Sequence, residues 1–121
     1  MKRNLLAVGL VMVIGMFLVG CSEDYMSMLD YESAEDFEAA INNGDDVEGA
    51  YVMVEVNKFE PASAFGFNVQ AGEHLNFVDA VNPNAEEGDF VVFEVEKIAN
   101  MMGSYIITYK EHKVIDAEDM E

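Results

Sequence analysis

The chain has 121 residues, a single cysteine, two histidines and a formal charge of −18, from 24 acidic residues against six basic ones. So acidic a chain repels nucleic acid, whose binding relies on Lys and Arg displacing counterions, and repels an anionic membrane surface. One cysteine excludes an intrachain disulfide. With two histidines it also leaves too few donors for a zinc site built from three or four nitrogen or sulfur ligands.

The chain opens on Lys2 and Arg3. An uncharged, apolar run from Leu5 to Val19 follows, then small Gly20, Cys21 and the polar Ser22-Glu23-Asp24. Positive, apolar and small residues in that order are the layout of a secretory signal. The run falls short of the ~20 apolar residues that span a bilayer. Its central Gly15 and abrupt polar exit argue against an uncleaved membrane helix with a buried thiol. Leu18-Val19-Gly20-Cys21 resembles the lipobox of bacterial prolipoproteins. The resemblance implies that the Cys21 thiol takes a diacylglyceryl group and that the chain is cut before it. Residues 1–20 are then a lipoprotein signal peptide, and Cys21 holds the protein to the extracytoplasmic face of the cell membrane. Two acyl chains suit stable anchoring, since one holds only marginally. A 101-residue mature chain remains, enough for one domain with its own core. In it Lys58, Lys97, Lys110 and Lys113 face all 24 acids, a charge of −20.

Residues 21–31 read as a tether, although Tyr25, Met26, Met28 and Leu29 are more apolar than a spacer needs. The domain is expected over residues 32–115. Ser33-Ala34-Glu35-Asp36 resembles a capping box, with Ser33 as N-cap and acids suited to the helix dipole. Phe37, Ala40 and Ile41 follow at helical spacing, and Asn42-Asn43-Gly44 stops the helix. A long strand then alternates Ala50, Val52, Val54 and Val56 with Tyr51, Met53, Glu55 and Asn57, until Pro61-Ala62-Ser63 ends it. Phe65, Phe67, Val69 and Ala71 alternate in a second strand. Gly72-Glu73 turns the chain into a third, with Leu75 and Phe77. Residues 82–89 form a loop by composition. Val91, Phe93 and Val95 mark a fourth strand, residues 100–103 a break, and Tyr105, Ile107 and Tyr109 a fifth. Val114 and Ile115 either add an edge pairing or end the fold. Residues 116–121 are an acidic tail.

The expected fold class is therefore mainly β, a five-stranded OB-like barrel preceded by one short α-helix and an N-terminal apolar signal segment. Four stretches, Ser33 to Phe37, Val69 to Phe77, Gly88 to Val92 and Gly103 to Ile107, resemble the OB-fold lipoproteins grouped as tRNA-anticodon-binding-like (tRNA_anti-like). The resemblance runs from Asp36 to Tyr109 and concerns fold. The chain lacks the basic groove of OB domains that bind nucleic acid, and its helix precedes the first strand where the usual OB helix links strands three and four. An immunoglobulin-like sandwich is the alternative, for which five strands are few.

Several residues are candidates for chemistry. Phe65, Phe67, Phe77 and Tyr105 are a possible stacking platform of the kind OB-folds offer ligands, or simply core aromatics. His74, beside Glu73, is a candidate ligand-binding residue, general base or proton switch, or a polar strand residue. His112, between Glu111 and Lys113, reads as solvated. Asp45, Asp46 and Glu48 cluster at a turn, as do Glu86, Glu87 and Asp89. These are candidate calcium ligands or solvated acids, and neither cluster follows the EF-hand spacing. No Gly-x-Ser-x-Gly elbow and no phosphate-binding glycine loop occurs. The leading expectation is a non-catalytic lipoprotein that binds an envelope protein or cell-wall component. A divalent-cation or small-ligand binder, and a small enzyme using His74, are the alternatives.

Overall fold

The computed structural model describes residues 26–115. The signal segment, Cys21, the first part of the expected tether and the acidic tail lie outside the described residues. Helix α1 (Ala34–Asn42) begins where the sequence places its cap. Ser33 has an extended backbone and its Oγ accepts the Asp36 N–H at 3.1 Å. Ala34, Phe37 and Ala40 are buried on its inner face, with Ile41 packed beside them.

Six strands follow: β1 (Tyr51–Glu55), β2 (Lys58–Ser63), β3 (Gly66–Ala71), β4 (Leu75–Asp79), β5 (Phe90–Met101) and β6 (Ser104–Ile115). They form one mixed sheet in the order β1-β5-β6-β4-β3-β2. Every adjacent pair is antiparallel except β4 and β6, which run parallel. The mainly β class with a short preceding helix is as expected. The strand count is not: there are six strands in an open order, where five in a barrel were expected. The long first strand is divided at Val56–Asn57. The Val56 N–H bonds Asp89 O at 2.9 Å, towards β5, while the Asn57 N–H bonds Gln70 O at 2.8 Å, towards β3. A segment bent there pairs on opposite sides before and after the bend.

β2 ends at Ser63, inside the expected Pro61-Ala62-Ser63 stretch, and includes Pro61. Pro61 lies at the sheet margin, where the β2–β3 register shifts between Glu60 and Ser63 and a missing N–H is tolerated. The last two strands are twelve residues each, joined by a two-residue turn at Met102–Gly103. Both turn residues have positive φ, 57° and 92°, as a type I′ hairpin turn requires. Val114 and Ile115 thus pair with Val91 and Phe90 and belong to β6.

The core is an aromatic column flanked by valines. Phe77 stacks on Phe93 with centroids 4.2 Å apart, Phe37 lies 6.1 Å from Phe77, and Tyr109 tilts against Phe93 at 4.5 Å. A second, smaller cluster of Met53, Val92 and Ile115 packs with Leu29, Tyr51 and Phe90. Residues at the end of the expected tether take part in this packing. Tyr31 bridges to Val52, and the Asp30 N–H bonds Tyr51 O at 2.8 Å.

Because Phe77 touches both Phe37 and Phe93, Phe77→Ala should cost about 3–5 kcal/mol, read as a lower urea midpoint with an unchanged m-value.

Candidate functional site

The structure separates the four aromatic candidates. Phe77 is paired with Val69 and with Ile107, and it faces the core. Phe67 lies two residues from Val69 on the same face, half-buried near the strand end, and stacks on Phe59 at 6.2 Å. Tyr105, two residues before Ile107, donates its hydroxyl to Asn42 Oδ1 at 2.5 Å. Only Phe65, in the β2–β3 turn, is exposed, at 46%. A four-ring platform is therefore not formed, because strand alternation turns three of the rings inward.

The acidic turns are exposed and bonded locally. Asp46 Oδ1 accepts the Glu48 N–H at 3.2 Å, Asn43 donates to Asp45 at 3.3 Å, and Asp89 Oδ2 accepts the Glu86 N–H at 2.9 Å. His112 is half-buried where a solvated ring was expected. It lies 5.7 Å from the Tyr109 ring, with Nε2 3.1 Å from Pro83 O, because β6 continues past it. The Tyr109 hydroxyl is buried without a hydrogen-bond partner among the described residues. Burial, with the Asp79 charge adding to it, pushes its pKa well above the usual value.

His74 has a partner that sequence reasoning missed. Its Nδ1 lies 2.5 Å from Oε2 of Glu38, a helix residue only 7% exposed. Oε1 of the same carboxylate accepts the N–H groups of Glu73 at 3.0 Å and His74 at 3.4 Å. An ionised carboxylate only accepts, so Nδ1 carries the shared proton. Burial alone would raise the Glu38 pKa. The His74 ring, the two backbone N–H groups and the His74 charge together outweigh it and hold the carboxyl below its ordinary value. Gly72 makes room for this contact. Its φ is +56°, and a Cβ there would lie 2.8 Å from Glu38 Oε1. The available signal was Glu38 itself, at the fourth position after Ala34 in the stripe Ala34-Phe37-Glu38-Ile41, where an apolar residue belongs.

A separate groove of about 370 Å³ lies between the β2–β3 and β5–β6 turns. Phe65, Met101 and the fully exposed Met102 provide apolar walls, with Ile106, Asn68 and Asn76 also lining it. Asn76 Nδ2 donates to the carbonyls of His74 and Tyr105, each at 3.2 Å. This orients its Oδ1 to accept from Asn68 Nδ2 at 3.1 Å. Asn68 Oδ1 is what remains, in a side chain of a residue 6% exposed and with no partner among the described residues. A buried acceptor left unpaired costs about 1–3 kcal/mol.

No helix among the described residues is long and apolar enough to cross a membrane. No family profile, curated protein or solved structure matches the chain.

The depressed Glu38 pKa gives a signed pH dependence. A carboxyl whose pKa is lower folded than unfolded stabilises the fold above its unfolded pKa, and the stability is lost as pH falls through the folded value. The melting-temperature gap between wild type and Glu38→Gln should be widest at neutral pH. It should close as pH falls through and below the ordinary glutamate range, in thermal melts followed by circular dichroism.

Proposed function

We propose that the chain is an extracytoplasmic lipoprotein, held to the cell membrane through lipid on Cys21, whose β domain is a non-catalytic OB-like binding barrel. The anchor rests on Lys2 and Arg3, the apolar Leu5 to Val19 run and Leu18-Val19-Gly20-Cys21. The barrel reading rests on the bend at Val56–Asn57. If β1 and β2 are halves of one strand, five strands remain, and both margins of the sheet order belong to that strand.

The groove carries the binding reading. With β1 and β2 taken together, β3 and β4 become the second and third strands. The turns holding Phe65 and Met102 become the loops after strands one and four. OB-folds bind ligands on that face, between those loops. A groove of about 370 Å³ is within the range of ligand sites, roughly 300–1,000 Å³. Its lining is apolar, amide and, from Ser63 and Ser104, hydroxyl, and none of the four mature-chain lysines contributes to it. That chemistry suits an uncharged segment of an envelope protein or cell-wall component, and it does not suit nucleic acid.

Two outcomes are expected. Cys21→Ser should lose incorporation of labelled fatty acid and move the protein from the membrane to the soluble fraction. An unaltered label would place the anchor elsewhere. Phe65→Ala and Met102→Ser should each change stability by less than about 0.5 kcal/mol while weakening binding at least tenfold. The probes are soluble cell-wall fragments and detergent-solubilised envelope proteins, followed by amide NMR. Saturable shifts with Phe65, Met101 and Met102 silent would remove the groove from the reading.

A further inference from the structure

We infer that Glu38, Glu73 and His74 form a binding site for a divalent transition-metal ion of the zinc class. One donor atom from each residue lies within 4.8 Å of the others. Zinc holds imidazole nitrogen and carboxylate oxygen at about 2.0–2.2 Å, so His74 Nδ1 and Glu38 Oε2, now 2.5 Å apart, must part to admit the ion while Glu73 closes on it. The exposed Glu73 and His74 side chains have the freedom to do so, while Glu38 stays fixed.

Glu38 is already prepared as a ligand. Its Oε1 is occupied by the Glu73 and His74 N–H groups, which leaves Oε2 directed at the His74 ring. Ligating carboxylates are themselves held by hydrogen bonds of this kind. Charge points the same way. Two carboxylates and a neutral imidazole balance a divalent ion, and no lysine lines either of the cavities that open beside the cluster. Glu35, one helical turn before Glu38, lines one of these cavities together with Glu38 and Glu73 and deepens the negative field. The same openings give the ion an entry path and leave room for water to complete its coordination. One nitrogen with two carboxylates suits the zinc-class ions. Calcium takes six to eight oxygens and has less use for imidazole.

Binding exchanges the ion for the proton between Glu38 and His74. The Nδ1 proton leaves to solvent, and the ion takes its place with Nδ1 and Oε2 both on the metal. The ion then ties α1 to the β3–β4 turn. The His74 carbonyl from that turn receives Asn76 Nδ2, so the site abuts the floor of the apolar groove.

The test is isothermal titration of the full-length chain in detergent with Zn2+ and with Ca2+, alongside the His74→Gln and Glu73→Gln variants. The Asp45→Asn/Asp46→Asn double variant controls for diffuse cation binding by so acidic a chain. One saturable Zn2+ site is expected, weakened at least tenfold by either single variant, untouched in the double variant and not matched by Ca2+. Thermal melts verify that the variants remain folded. In 15N NMR, His74 Nδ1 should carry no proton at saturation. Absence of a 1:1 site, unchanged affinity in His74→Gln, or a ring that keeps its Nδ1 proton at saturation would each overturn the assignment.

Discussion

The backbone pairing at Val56 and Asn57 is the constraint on which the rest of the sheet depends. The two N–H groups bond to carbonyls of different neighbours, Asp89 and Gln70, and the segment from Tyr51 to Ser63 therefore serves β5 with its first half and β3 with its second. Backbone donors buried in a domain must be paired, so a segment that bends between two partners has little freedom in where it bends. Val52 and Val54 before the bend, and Phe59 after it, pack on the same core cluster. The stacked Phe77 and Phe93 rings lie within it.

Alternation then distributes the chemistry. Residues two apart share a face, so Val69, Phe77 and Ile107 take their strand neighbours Phe67 and Tyr105 inward with them. The intervening positions Asn68, Asn76 and Ile106 fall on the opposite face, where the two turns bring Phe65 and Met102 alongside. The proposed binding surface is thus the complement of the core pattern. Its polar floor is half-resolved: Asn76 satisfies two carbonyls and one amide, and Asn68 keeps an unpaired oxygen.

Glu38 illustrates a different balance. A carboxylate on the inner face of a helix loses hydration, and here three donors from a distant turn more than compensate. The same donors hold α1 against the β3–β4 turn, and the Gly72 backbone makes the close approach possible. A polar contact thereby positions an element whose remaining inner residues are apolar.

Local order was legible in the sequence because it depends on neighbours in the chain. Ser33 caps its helix, Asn42 to Gly44 ends it, and the inward positions of β1, β3 and β5 follow from period-two alternation. The mainly β class follows from the same patterns. Partners far apart in the chain were not legible. His74 and Glu38 are separated by 36 residues, and nothing in the spacing of either names the other. The parallel pairing of β4 with β6, the division of the first strand and the extension of β6 through His112 were likewise hidden. A strand's own sequence specifies which side faces inward, whereas its neighbour and register are chosen by the hydrogen bonds of the whole sheet. What the sequence by itself determined was therefore the kind of elements and their buried faces. Which polar groups meet, and which one is left unpaired, only the tertiary structure decided.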